Sequence, residues 1–187
     1  MSLSIPAIRT IETERLLLKE ITPEFWDYAF SNWSDEELIN YFAYADLPAE
    51  KEKNRMGLQT YHISFRNFVI VVKDTGQTLG RIGFHTWYTH HNRAEIGYGI
   101  EDPSQRGKDY VSEALKALLI YGFEELGLHR AEALTGTDNQ PSIKALLKYG
   151  FQLEGVLRGH YNVDGEQVDS NCYSLLKPEY EKLKDNW

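Results

Sequence analysis

Apolar positions recur with two different periods along this chain, and the changes between them mark its elements. TERLLLKEI, from Thr13 to Ile21, mixes apolar and charged residues over a strand-length run, and Thr22-Pro23 then opens a helix with proline at its first position. From Ser34 to Tyr44 a capping serine and three acids, Asp35, Glu36 and Glu37, precede Leu38, Ile39, Tyr41 and Phe42, as in a short amphipathic helix. Pro48 opens a further helical, charged segment that reaches about Arg66. Then the period shortens. Phe68 to Asp74, Thr78 to Tyr88 and Asn92 to Glu101 are rich in β-branched and aromatic residues, and the links between them are too short for crossover helices. An antiparallel meander is expected.

Helical spacing returns after the meander. Val111, Ala114, Leu115, Leu118, Leu119 and Gly122 form a stripe that can lie on a sheet, and Gly127 closes the helix. His129 to Thr137 reads as a short strand, Ser142 to Tyr149 as a helix ended by Gly150, and Phe151 to Tyr161 as a strand. Asp164-Gly165 then turns the chain into a last strand, Val168 to Leu176. No repeat, low-complexity tract or linker interrupts this order, so residues 1–187 are expected to form a single α/β domain.

The totals narrow the function classes. With 42% hydrophobic and 26% charged residues, the composition is that of a soluble globular protein. A formal net charge of −8 and a pI near 5.3 argue against a broad nucleic-acid footprint and favour a cationic partner. Cys172 is the only cysteine, which excludes an internal disulfide and any multi-cysteine zinc site. Without a long apolar run or a signal-peptide pattern in MSLSIPAIRTIETER, the expected location is the cytoplasm, with no membrane partner. His90 and His91 have no third ligand at metal spacing, so no metal is expected.

Two places carry chemistry. PSQRGKDYVSEA, from Pro103 to Ala114, runs a basic, glycine-containing turn into a helix, whose unpaired N–H groups and positive dipole end suit a phosphate. Arg106 and Lys108 add charge, but Asp109 opposes them. A carboxylate about 5 Å from a phosphate costs roughly 3 kcal/mol at an effective dielectric near 20. It can instead turn outward, or cap the helix and occupy the donors itself. Glu95, flanked by Ala94 and Ile96, is the second place. If its neighbours face the core it points into a cleft, where it could take a proton from an ammonium; otherwise it is an exposed residue paired with Arg93 or Arg81.

Four stretches together resemble the GNAT N-acetyltransferases, and within them the RimJ/RimL type that acetylates protein N-termini and small amines. They are AEIGYGI, RGKDYVSEALKALLIYGFEELGLHR, the N-Q-P-S of Asn139 to Ser142, and LLKYGFQLEGVLR with DGEQVDSNCYSLL. The resemblance implies the GNAT acyl-CoA N-acyltransferase fold, a mixed, mostly antiparallel sheet flanked by helices. It implies acetyl-CoA as cosubstrate and an amine acceptor, and it suggests a homodimer.

By the same resemblance Glu95 is the general base and Ser142 the general acid, with Asn139 near the pantetheine arm. Backbone groups of Ile96, Gly97, Tyr98, Gly99 and Ile100 would meet the pantetheine amides. Arg106, Gly107, Lys108, Asp109, Tyr110, Val111 and Ser112 would seat the pyrophosphate. In the family's Gln/Arg-x-x-Gly-x-Gly/Ala turn, Asp109 and Val111 replace the two small residues. Those changes also suit a CoA-binding or sensing module with weak or no turnover, or a scaffold used only for protein interaction. Leu146 stands where many relatives outside this branch carry a tyrosine acid, and Tyr149 does not replace it by spacing. Trp33, Tyr41, Phe42 and Tyr44 are either core or acceptor-pocket wall, and Cys172 is a residue of the last strand's core more than a nucleophile.

Overall fold

The chain is described by a computed structural model covering residues 8–56 and 63–187. Eight strands form one sheet in the order β1-β2-β3-β4-β5-β6-β8-β7. These are β1 (Thr10–Glu12), β2 (Leu16–Ile21), β3 (Ile63–Val72), β4 (Thr78–Tyr88), β5 (Arg93–Ile100), β6 (Arg130–Gly136), β7 (Gln152–Val163) and β8 (Glu166–Leu176). Helices α1 (Pro23–Asn32), α2 (Asp35–Phe42) and α3 (Leu47–Met56) separate β2 from β3, and α4 (Tyr110–Ile120), α5 (Gln140–Lys148) and α6 (Lys177–Leu183) follow β5, β6 and β8. Neighbours run antiparallel except β5 and β6, which are joined through α4 and run parallel. The expected α/β class and mixed, mostly antiparallel sheet are what the chain forms.

Each face of the sheet has its own core. Ala114, Leu115, Leu118 and Leu119 of α4 are buried against Ile82, Phe84, Ala94 and Ile96, as the stripe requires. Burying one such leucine is worth about 1.5–3 kcal/mol. Beyond Ile120 the helix widens into a π turn, Tyr121–Glu125, in which the Leu126 N–H donates to the Tyr121 carbonyl. Gly122 allows close packing there, because a Cβ would come within 2.5 Å of the Phe84 ring. On the other face Phe25, Trp26, Leu38 and Phe42 cover Val69 and Val71. Ser34 caps α2 in a full capping box with Glu37, as its sequence suggests.

Three local expectations change. The segment from Pro48 is helical only to Met56; residues 57–62 lie outside the described residues, and Ile63 to Arg66 are already strand. Pairing explains the last point: Ile63, Ser64 and Arg66 align with Tyr88, Trp87 and Phe84 of β4, and Phe65 is buried. Strand β1 and helix α6 are additions. The latter buries Tyr180, which stacks on Phe123 with ring centroids 4.6 Å apart.

At the β6–β8–β7 side, Arg130 reaches Glu154 and donates to both carboxylate oxygens, at 2.6 and 2.5 Å, while the Ser174 hydroxyl adds a third bond at 2.7 Å. Chiefly through the Arg130 bonds, the Glu154 carboxyl is held down at about 2 against an ordinary 4.5. A depressed pKa contributes stability that is complete above the ordinary value and disappears as pH falls through the folded value. The melting temperature gap between the wild type and Glu154→Gln should therefore be widest near neutral pH. It should close as pH is lowered from about 5 to about 2 in thermal unfolding.

Candidate active site

Strands β5 and β6 pair only from Arg93/Arg130 to Ile96/Ala133. Beyond that point β6 stays with β8 as far as Gly136, and β5 stays with β4 as far as Ile100. The two part company, and the β5 backbone after Ile96 loses its neighbour on one side. Backbone donors and acceptors freed in this way need partners from water or a ligand.

The gap opens on a cavity of about 510 Å³ between β5, the turn before α4 and the start of α5. Tyr98, Gly99, Ile100, Arg106, Gly107, Lys108, Asp109, Tyr110, Val111, Ser112, Asn139 and Ser142 all border it. Ile96 and Gly97 do not: Ile96 is buried in the core and still paired with β6, and Gly97 faces the opposite side, toward His85.

The turn resolves what Asp109 does. Its backbone is left-handed, φ 63°, and its side chain makes no capping hydrogen bond to the helix. The carboxylate lies 3.1 Å from the Lys148 ammonium instead, and is 68% exposed. Lys148 also donates to the Ser112 hydroxyl at 2.7 Å. Asp109 thus leaves the first amides of α4 open, and a cation from α5 sits beside it. Gly107, φ 74°, supplies the other left-handed residue of the turn.

The two basic residues of the turn, which border the cavity, also have partners within the chain. The Arg106 guanidinium donates to the Ile100 carbonyl at 3.1 and 3.0 Å, bracing the turn against the end of β5, and Lys108 donates to the Gln105 side chain at 2.8 Å. The Ser112 hydroxyl is likewise engaged, lying 3.0 Å from the buried Tyr149 hydroxyl, which donates to the Ser112 carbonyl at 2.8 Å. From the far side Arg15 ties the turn down: it donates to the Lys108 carbonyl and lies 4.7 Å over the Tyr110 ring.

Asn139 caps α5, its side-chain oxygen accepting from the Ser142 N–H at 3.3 Å. The Ser142 hydroxyl meets the Tyr98 phenol, whose pKa burial raises and whose contact with Ser142 lowers. Ser142 therefore borders the 510 Å³ cavity beside a second hydroxyl.

On the other face of β5, Glu95 points away from the buried Ala94 and Ile96, with 23% of its side chain exposed. Its partner is neither Arg93 nor Arg81. Arg93 bonds Glu132 at 2.8 Å and covers the Tyr88 ring, and Arg81 covers the Tyr44 ring. Instead the His85 Nε2 lies 3.2 Å from Glu95 Oε1.

Two adjoining cavities, of about 270 and 310 Å³, open beside His85 and share it with Asn67 and Arg81. The first reaches Trp26, Tyr44 and Glu50; the second reaches Gly97, Tyr98 and Gly99, and so touches the 510 Å³ cavity through its last two residues. The aromatic cluster divides accordingly. Tyr44 is pocket wall, its hydroxyl bonded by the Trp26 indole at 2.8 Å; Phe42 is core; Trp33 and Tyr41 border a separate hollow.

His85 and Lys148 are the residues that sequence reading missed. After Ile82 and Phe84 the next residue packed on the core is Trp87, three positions on and opposite a strand with glycines at 97 and 99, which is a bulge signal, and Lys144 and Lys148 stand one helical turn apart on the side of α5 that faces the turn. Cys172 is half-buried in β8, and burial pushes its thiol up, away from the thiolate a nucleophile needs. His90 and His91 lie in a 3₁₀ turn, and among the described residues no cluster of three potential ligands could hold a metal ion. No helix of the described residues is long and apolar enough to cross a membrane.

Comparison with known proteins agrees with this geometry. The uncharacterized N-acetyltransferase YoaA of Bacillus subtilis is 36% identical over 173 residues, covering 90% of this chain and 97% of that protein. The uncharacterized N-acetyltransferase p20 of Bacillus licheniformis is 36% identical over 177 residues, covering 92% and 99%. Among solved structures, a GNAT-family acetyltransferase from Bacillus anthracis superposes with a TM-score of 0.66 at 27% identity, over 91% of this chain and all of that one. Residues 15–152 match the acetyltransferase (GNAT) domain model, and the chain belongs to the GNAT family of acetyltransferases.

Proposed function

We propose that the protein transfers an acetyl group from acetyl-CoA directly to a primary amine, either a protein N-terminus or a small amine, as RimJ/RimL-type enzymes do. The observation that carries this reading is the meeting of two cavities at Tyr98 and Gly99, one headed by open helix amides, the other bordered by His85, which pairs with Glu95 behind it. When bound, acetyl-CoA supplies an activated thioester. The α4 amides and the β5 backbone would hold it, Glu95 would supply the base function, and the Ser142 hydroxyl would hand a proton to the departing sulfur. Net acidity of the chain suits a cationic acceptor.

The test is acetyl-CoA consumption across a panel of amines and N-terminal peptides, with the acetylated product identified by mass. Consumption with none of them would reject the reading. A second expectation concerns the turn. Asp109 is exposed, so its repulsion of a phosphate is screened nearly as in water, about 0.8 kcal/mol at roughly 5 Å. Calorimetry should accordingly find that Asp109→Gly binds acetyl-CoA about fourfold more tightly, and that Lys148→Ala binds it more weakly than the wild type. Weaker binding by Asp109→Gly would mean that the left-handed aspartate is needed to shape the turn.

A further inference from the structure

We propose that His85 is the group that takes the proton from the acceptor amine, and that Glu95 acts through it as a positioning residue. The inference rests on the acetyl-transfer reading above and revises one role in it: the base function given there to Glu95 is exercised through His85. Three independent features bring the imidazole to this place.

The first is a backbone irregularity. Phe84 pairs with Ile96 and Thr86 with Glu95, so β4 carries one extra residue, His85, against consecutive residues of β5. Bulges of this kind re-aim a side chain and occur beside active sites. The second is the space that receives it. A Cβ on Gly97 would lie 2.6 Å from His85 Nδ1, so only glycine at 97 lets the ring lie across β5. The third is access. His85 borders both cavities on the acceptor side, 44% exposed, whereas Glu95 borders neither.

The contacts orient the two ring nitrogens. His85 Nε2 lies 3.2 Å from Glu95 Oε1, and the proposed mechanism places the ring proton on Nε2, toward that carboxylate. Nδ1, on the Gly97 side, is then left with a lone pair. It takes one proton from the bound ammonium, and Glu95 stabilises the imidazolium that results. The neutral amine then forms its N–C bond to the acetyl carbon as the C–S bond breaks. The second nitrogen proton reaches the sulfur by way of the Ser142 hydroxyl, and Nδ1 returns the first to water. Atoms and charges balance without another reactant.

The experiment compares His85→Gln, His85→Ala and Gly97→Ala with the wild type and an amine that the wild type acetylates. His85→Gln should lower kcat by about 10²- to 10⁴-fold, with acetyl-CoA affinity by calorimetry unchanged. Added imidazole should restore His85→Ala by about tenfold or more and should do nothing for Glu95→Gln, an outcome that a purely structural role would not produce. Gly97→Ala provides a second route: it retains the histidine but displaces its ring, and should lower kcat similarly. If His85→Gln and Gly97→Ala turn over near the wild-type rate while Glu95→Gln does not, the carboxylate takes the proton itself and the inference is overturned. If the wild type acetylates no amine, the underlying reading fails, and that result is distinct.

Discussion

Glu95→Gln is expected to lower kcat by about 10²- to 10⁴-fold at neutral pH while leaving acetyl-CoA affinity within about twofold of the wild type. The split follows from position. Glu95 projects from the face of β5 opposite the core and borders none of the coenzyme-sized cavity, so the amide should not disturb that site. What the amide removes is charge. Glutamine is nearly the same size and can stay beside His85, but it can neither take a proton nor stabilise an imidazolium. Steady-state turnover and calorimetry on the same preparation read the two halves separately. Near wild-type turnover would remove Glu95 from the mechanism, and a large loss of acetyl-CoA affinity would mean that the sheet had been displaced instead.

Phe84→Ala should lower the unfolding free energy by about 3–5 kcal/mol in urea titrations. Phe84 is 0% exposed and fills the space between β4 and the π turn. Gly122 lies directly across that space and has no side chain to move in, so the cavity left behind should stay open. A loss below about 1.5 kcal/mol would show that the surrounding leucines collapse into it. Because Phe84 also precedes the bulge, turnover should fall along with stability.

Local signals were legible in the sequence. The meander, the α4 stripe, Gly127 in the left-handed region and the Asp164-Gly165 turn are all encoded within a few residues of where they act. Elements whose cause lies far along the chain were not. Residues 63–66 read as the end of a charged helix because their strand partners, Phe84, Trp87 and Tyr88, are about twenty residues away. The parting of β5 from β6 depends on β8 holding one strand and β4 the other, and no short window contains that competition. The site shows the same division. The turn before α4 could be singled out from its own residues and Glu95 from the family resemblance of AEIGYGI, but the orientation of the Asp109 carboxylate was decided by Lys148, and the partner of Glu95 by an extra residue in another strand.

Two of the three cavities draw on separate parts of the chain. The one beside Trp26 and Tyr44 is walled by residues from Ile21 to His85 and the 510 Å³ one by residues from Tyr98 to Lys148, while the third lies between them and takes residues from both β4 and β5. On the proposed reading, acceptor preference can thus diversify through changes in the amino-terminal half, while the residues assigned to the acetyl donor are inherited intact. Chimeras spliced between β4 and β5 would exchange the wall beside Trp26 and Tyr44 while keeping the 510 Å³ cavity, and would join old and new residues in the cavity between them.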